Sequence, residues 1–378
     1  MCDQVYCLGG VFVMQMGSAY EIYFGGPDRS AGYLRNVLAR HIAAVPAGGA
    51  IDWVTYYFRD LELARALLQA HRRGVRVRVC LAGKPRVSDA NDEVIAMLSG
   101  PESLGDGLRT VTMAGIPSPR KRAWKPQLHE KLYCFSHPQP VAFIGSFNPS
   151  GNQLEERTDI IREIGDQDQG HNMLIGLREP LLVEQLVQHA QQLHQKPPGL
   201  LYRFSANANR IIKGIDTTIH FLPSMRPHPV MQFLRQVGKG AHVRIAASHI
   251  RTKRAVDVMV ELAKRGAMVE IIAEPTLRRV TPGVEQHLIA AGIRFKRSKN
   301  DDNFPMHLKF VLVEERNQNW SIFGSFNWTN PSFWLNHEII AISNNPQVFG
   351  AFSDRWRILE NNQAITPPTS DGFSLMAV

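Results

Sequence analysis

Cysteine is scarce: Cys2, Cys7, Cys80 and Cys134 are the only four in 378 residues. They form no Cys-x-x-Cys pair and stand near no group of histidines, so neither a disulfide framework nor a structural zinc site is expected. That usage fits a reducing, cytoplasmic setting, at most peripheral to the inner face of a membrane. Long hydrophobic runs are missing as well. The best candidate, residues 5–20, is uncharged but contains Gly, Gln and Ser, and is shorter than the roughly 20 apolar residues a span needs. It has no Lys or Arg before it and no clear small-x-small site, so it is a poor signal peptide. It reads as an N-terminal tail or a start-site artefact, with Met16 as an alternative start. Acidic residues are outnumbered, 34 against 43 Lys plus Arg, for a formal charge of +9. Such a balance favours anionic partners: nucleic acid, phospholipid headgroups or phosphorylated metabolites. With 44% hydrophobic and 20% charged residues, the composition is neither disordered nor collagenous. The length allows two or three domains of about 150 residues.

What is present is one unit written twice. Residues 50–58 (AIDWVTYYF) are apolar and β-branched, 61–72 have helical periodicity, Gly74 breaks the helix, and 75–81 (VRVRVCL) alternate as a strand does. The second half repeats this βαβ pattern with 242–247, 253–265, Gly266 and 267–273 (AMVEIIA). Upstream, a short strand followed by a turn opens each half, at 21–24 and 218–221. Downstream, LHEKLYCF (128–135) matches MHLKFVLV (306–313), and VAFIGSFNPS matches WSIFGSFNWT. Gln195-Lys-Pro-Pro-Gly199 cannot continue a helix. The expected organisation is a tail (1–19), an α/β domain (20–195), a linker (196–213), a second α/β domain (214–362) and a tail (363–378). The two domains are expected to pack as a pseudo-twofold pair with the active site at their interface.

Two segments read His-x-Lys, at His129–Lys131 and His307–Lys309, each in an apolar strand-like run where alternate residues share a face. A third copy, His194-Gln195-Lys196, lies in a polar helix end, and chance supplies such tripeptides in a chain with 14 histidines. The first two are set apart by a shared downstream tetrapeptide. Gly145-Ser146-Phe147-Asn148 begins 14 residues after Lys131, and Gly324-Ser325-Phe326-Asn327 begins 15 after Lys309. Each ends a second apolar run beside the first. Together the sets supply two His, two Lys, two Ser and two Asn. That is an anion pocket with two imidazoles whose unperturbed pKa is about 6.5 and with Ser and Asn expected to donate into it. Two Lys already neutralise a phosphodiester, so neither metal nor cofactor is called for. A duplicated strand pair with satisfied polar groups is the bland alternative, but burying two Lys and two His without function is costly.

These motifs resemble the phospholipase D superfamily, whose pattern is His-x-Lys, then Asp after four residues, then Gly-Ser-x-Asn. The resemblance runs from about residue 20 to 359. It implies a covalent phosphohistidine: by position His129 is the nucleophile and His307 the general acid and base. Lys131, Lys309, Asn148 and Asn327 would hold the non-bridging oxygens, supported by Ser146 and Ser325. The motif aspartate is replaced by Ser136 and Glu314, a loss also seen in the tyrosyl-DNA phosphodiesterase branch. Glu338, in Asn336-His337-Glu338, resembles the family's downstream carboxylate, which orients a histidine and stabilises its imidazolium. The equivalent first-half stretch, His171-Asn172-Met173, offers Asn172, with Asp166 and Asp168 near. Read half by half, Glu338 serves His307 and leaves His129 without a full carboxylate partner.

Basic clusters sit around these motifs: residues 120–122 with Lys125, 251–254, Arg278-Arg279, and Lys296-Arg297 with Lys299. Aromatics follow the second motif: Phe326, Trp328, Phe333 and Trp334. They serve base stacking, headgroup insertion or core packing. Two motifs in one chain resemble the phosphatidyltransferase, cardiolipin-synthase-like and phospholipase branches, which implies a phospholipid substrate and peripheral membrane contact. A nuclease or DNA-end phosphodiesterase, with nucleic acid as partner, is the alternative; a non-catalytic phosphate-binding module is the second.

Overall fold

The computed structural model describes residues 18–101, 103–113, 115, 125–150, 157–163, 169–199, 201–298 and 304–361. The expectations for residues 5–17, 120–122, Asp166, Asp168 and Lys299 fall outside them. Two mixed sheets form, one from each half of the sequence. The first runs, in spatial order, Tyr20–Phe24, Met173–Leu177, Val141–Gly145, Leu132–Phe135, Ala50–Thr55, Arg76–Ala82 and Leu108–Val111. The second matches it element for element: Thr217–Leu222, Glu338–Ser343, Gln318–Gly324, Lys309–Glu315, His242–Ala247, Met268–Ala273 and Arg294–Arg297. An eighth strand, Ile211–Lys213, is added beyond Thr217–Leu222. It takes the end of the expected linker into the second sheet, where Ile211 and Ile212 pair with His220 and Ile219.

The two βαβ units are present. Ala50–Thr55 pairs in parallel with Arg76–Ala82 across the helix Leu61–Arg72, and His242–Ala247 with Met268–Ala273 across Lys253–Lys264. Asp60 caps the first helix by accepting the Leu63 N–H at 2.8 Å. Gly74 and Gly266 each follow their helix with φ of 88°, a conformation that favours glycine. The first strand stops at Thr55, earlier than its apolar run predicts. Tyr57 and Phe58 instead donate their N–H groups to the side chains of Asn148 and Asn91, which bends the chain into a loop over the site.

Strand alternation explains how the halves join. Leu132 and Cys134 face a core common to both halves, whereas Tyr133 and Phe135 face an outer core with Leu34, Leu38 and Leu67. Phe310 and Leu312 repeat the inward set, Val311 and Val313 the outward one. The common core also takes Leu186 and Phe352 from the helices Pro180–Gln195 and Pro346–Asn361. The halves therefore pack inner face to inner face as a pseudo-twofold pair.

Arg355, on the last helix and 1% exposed, crosses that seam. Its guanidinium donates to both oxygens of Asp28 at 2.8 and 3.0 Å, to the Gly25 carbonyl at 2.7 Å, and to His171 Nδ1. Removing one partner of such a pair strands the other, so Arg355→Met is expected to cost about 3 kcal/mol. The check is a lowered urea midpoint at unchanged slope; a midpoint equal to wild type would contradict it.

Candidate active site

Each His-x-Lys segment leads into its strand, Lys131 directly before Leu132–Phe135 and Lys309 as the first residue of Lys309–Glu315, and the residue before each histidine pairs with the opposite half. Leu128 bridges to His337, and Met306 to His171. The His337 N–H donates to the Gln127 carbonyl (2.8 Å) and the His129 N–H to the His337 carbonyl (3.0 Å). In the related position, the His171 N–H donates to Pro305 (2.8 Å) and the His307 N–H to His171 (2.9 Å). The residue after each bridge is thereby brought against the other half's histidine. Glu338 Oε2 accepts from His129 Nδ1 at 2.8 Å, and Asn172 Oδ1 from His307 Nδ1 at 2.9 Å. The half-by-half expectation is therefore overturned: the carboxylate orients His129, and the amide orients His307.

The Gly-Ser pairs hold these orienting groups. A Cβ on Gly145 would stand 2.2 Å from the Met173 carbonyl, and one on Gly324 2.1 Å from that of Ile339, so only glycine lets the strands meet. Ser146 Oγ accepts the Met173 N–H (3.1 Å) and donates to Asn172 Oδ1 (3.0 Å). Ser325 Oγ accepts the Ile339 N–H (3.1 Å) and donates to Glu338 Oε2 (2.5 Å). Both hydroxyls are engaged there and do not donate into the pocket as expected. Glu338 Oε1 takes the Ser332 hydroxyl and Asn336 Nδ2. With acceptor oxygens facing both Nδ1 atoms, each ring carries its proton on Nδ1 and keeps Nε2 as its basic nitrogen.

The electrostatics are dominated by two buried ammonium groups. Lys131 Nζ donates to the His129 carbonyl and Lys309 Nζ to the His307 carbonyl, both at 2.7 Å. Burial lowers Lys131 to about 7, with Glu338 and Glu130 opposing the shift. Burial and the nearby Lys131 hold Lys309 well below the usual lysine range. His307 is pushed well below the usual histidine range by burial and by both lysines. Burial also lowers His129, against the pull of Glu338. Asn148 Oδ1 accepts the Tyr57 N–H at 3.3 Å, which leaves its NH2 for a ligand. The Asn327 N–H donates to Ser332 Oγ, and its Oδ1 has no hydrogen-bond partner among the described residues.

A family model, the cardiolipin synthase, PLD-like domain, matches residues 45–174 and again 234–357. The chain belongs to the phospholipase D superfamily. Each match holds one His-x-Lys and one Gly-Ser-x-Asn, so the superfamily repeat and the two-sheet duplication coincide. The mitochondrial cardiolipin hydrolase of Chlamydomonas reinhardtii is 25% identical over 134 residues, covering 35% of this chain and 58% of that protein. The fold is similar to the phosphatidylserine synthase of Haemophilus influenzae Rd KW20 (TM-score 0.65, 13% identity, 91% of this chain and 87% of that one). It is also similar to the polyphosphate kinase of Porphyromonas gingivalis (TM-score 0.57, 13% identity, 93% and 53%).

In this phospholipase D-like frame the replaced motif aspartates lie at the far strand ends. Ser136 Oγ accepts the Ala50 N–H at 2.7 Å, and Glu314 pairs with Arg244. Of the aromatics after the second motif, Phe326, Trp328 and Phe333 are core, while Trp334 lies under Arg254 at 4.9 Å. His194, in the third His-x-Lys, is buried and bonded to the Gly107 carbonyl. Sequence reasoning missed several neighbours of the site. The Tyr56 ring centroid is 5.1 Å from that of His129 and 5.4 Å from Lys131 Nζ. Glu274 accepts the Met306 N–H at 2.8 Å and holds Arg279 at 3.7 Å. His249 is lowered well below the histidine range by burial and by Arg279 and Lys309. The signal was available: the pairs Val54–Leu132 and Ala246–Phe310 align the repeats and set His249 against Tyr57.

The Lys131 shift has a measurable sign. Its charge is present below about pH 7 and lost above it. Diethyl phosphate, whose single charge is constant there, is expected to inhibit about tenfold less well per pH unit above about 7. An inhibition constant flat from pH 6 to 9 would remove Lys131 from the anion site.

Proposed function

We propose that the protein cleaves or exchanges phospholipid phosphodiesters through a covalent phosphohistidine. His129 Nε2 attacks phosphorus as the bond to the leaving oxygen breaks, and His307, which takes up a second proton on Nε2 beside the bound phosphodiester anion, passes that proton to the leaving oxygen. His307 then removes a proton from water or an alcohol, whose oxygen attacks phosphorus and releases His129. The observation that carries this assignment is the unequal crossed pair. The Glu338 carboxylate stabilises positive charge on His129 as its ring is phosphorylated. The neutral Asn172 gives His307 no such help, so its proton leaves readily. Lys131, Lys309, Asn148 and Asn327 would hold the non-bridging oxygens, each worth roughly 3 kcal/mol in a preorganised site. The cardiolipin synthase description of the family and the cardiolipin hydrolase relative support a phospholipid over a nucleic acid.

The test incubates the protein in EDTA with anionic phospholipid plus alcohol, and separately with single-stranded DNA. Phosphatidyl product that vanishes in His129→Asn and His307→Asn supports both substrate and mechanism. Cut DNA with untouched lipid replaces the substrate class and keeps the chemistry.

A further inference from the structure

Among the described residues, three of the most exposed large apolar side chains fall on two neighbouring turns: Leu201 (77%), Phe204 (62%) and Met225 (57%). One turn is the short helical Tyr202–Phe204; the other follows the strand Thr217–Leu222. Asn209 fastens them together. Its Oδ1 accepts the Met225 N–H (2.9 Å), its Nδ2 donates to the Arg203 and Ser205 carbonyls (2.8 and 2.9 Å), and its own carbonyl accepts from Arg226 Nε (2.6 Å). A lone exposed leucine needs no explanation, but three apolar tips on one fastened ridge mark a contact surface.

The charge around the ridge narrows the partner. From Lys196 to His228, the stretch that holds both turns, the chain carries five Lys or Arg and one acid, Asp216. Asp216 sits in the turn between the strands Ile211–Lys213 and Thr217–Leu222, away from the ridge, bonded to Tyr20 and to Asn345. On the ridge, Arg226 is exposed and the Arg203 guanidinium lies 5.9 Å from the Phe204 ring centroid. A nucleic acid would answer the arginines but give Leu201 and Met225 nothing apolar to enter. An anionic bilayer surface answers both. The ridge also stands beside the reacting groups: the Tyr202 ring packs on His337 at 4.4 Å, and Leu222 pairs with Glu338.

We propose that this ridge docks the protein on anionic phospholipid bilayers, Leu201, Phe204 and Met225 entering the headgroup layer while Arg203 and Arg226 engage its phosphates. The proposal rests on the phospholipid reading of the site. The test is flotation of the full chain with phosphatidylcholine vesicles and with vesicles also containing phosphatidylglycerol. Wild type and His307→Asn are expected to float with the anionic vesicles alone. The triple variant Leu201→Ser/Phe204→Ser/Met225→Ser, and separately Arg226→Gln, are expected to partition about tenfold more weakly. Both should melt as wild type does and turn over a soluble nitrophenyl phosphodiester at the wild-type rate. Variants that float like wild type, or a wild type that ignores anionic vesicles, overturn the docking surface. So does loss of single-stranded DNA binding in the same variants without flotation. Phosphatidyl product in detergent micelles without flotation removes the docking surface and leaves the substrate standing. Flotation through the ridge without any lipid product does the reverse.

Discussion

Replacing His129 by Asn is expected to lower phosphodiester turnover by about 10⁴-fold or more, because the oxyanion donors remain but no nucleophile does. His307→Asn is expected to fail differently. With a nitrophenyl diester the leaving oxygen needs no proton, so His129 can still be phosphorylated. No base then activates water, and the adduct accumulates. One nitrophenolate is released per chain in a burst, and the intact mass of the neutral-quenched protein rises by one phosphoryl ester. An adduct on His129→Asn and none on His307→Asn would exchange the two roles. No adduct on either variant, with wild-type turnover intact, would point to direct displacement by water.

Glu338→Gln is expected to be nearly as damaging, at about 10³- to 10⁴-fold in kcat/KM. Every contact of this carboxylate is a donor: His129, Ser325, Ser332 and Asn336. A glutamine brings one acceptor oxygen and an NH2 group into that ring of donors, so at least one donor faces another. If the clash falls on His129, its proton moves to Nε2 and the attacking lone pair is gone. If it falls on the serines, the strand ends at Gly324 and Ile339 lose their tie, at about 1–3 kcal/mol of stability. The two failures separate in the measurement, since the first lowers kcat with an unchanged melting temperature. A variant within tenfold of wild type by kcat/KM would show that Glu338 does not set the tautomer of His129.

The fold was legible because duplication doubles every signal. Gly74 and Gly266, or Gly145 and Gly324, are hard to interpret singly but unmistakable as pairs, and each proves to be a required turn or close approach. Residue types at the site were legible for the same reason. What could not be read was partnership. Glu338 is 31 residues from His307 and 209 from His129, so sequence proximity favours the wrong histidine. Only the bridges Leu128–His337 and His171–Met306 reverse it, and they depend on how two sheets dock. The serines were misread for a related reason: their backbone neighbours engage the hydroxyls before any ligand could. Tyr56 escaped because it lies in a loop just past a strand whose end the apolar pattern overran, and His249 because it follows the strand His242–Ala247 in a loop outside both motifs.

The crossed bridges also bear on the biosynthesis of the protein. His129 and Lys131 are synthesised in the first half, yet the group that fixes the His129 ring arrives with the strand Glu338–Ser343. A nascent or truncated chain ending before that strand holds a complete first motif, but its histidine lacks the carboxylate that fixes the tautomer. On the proposed mechanism, phosphodiester chemistry is therefore withheld from partly made chains until that strand has been added.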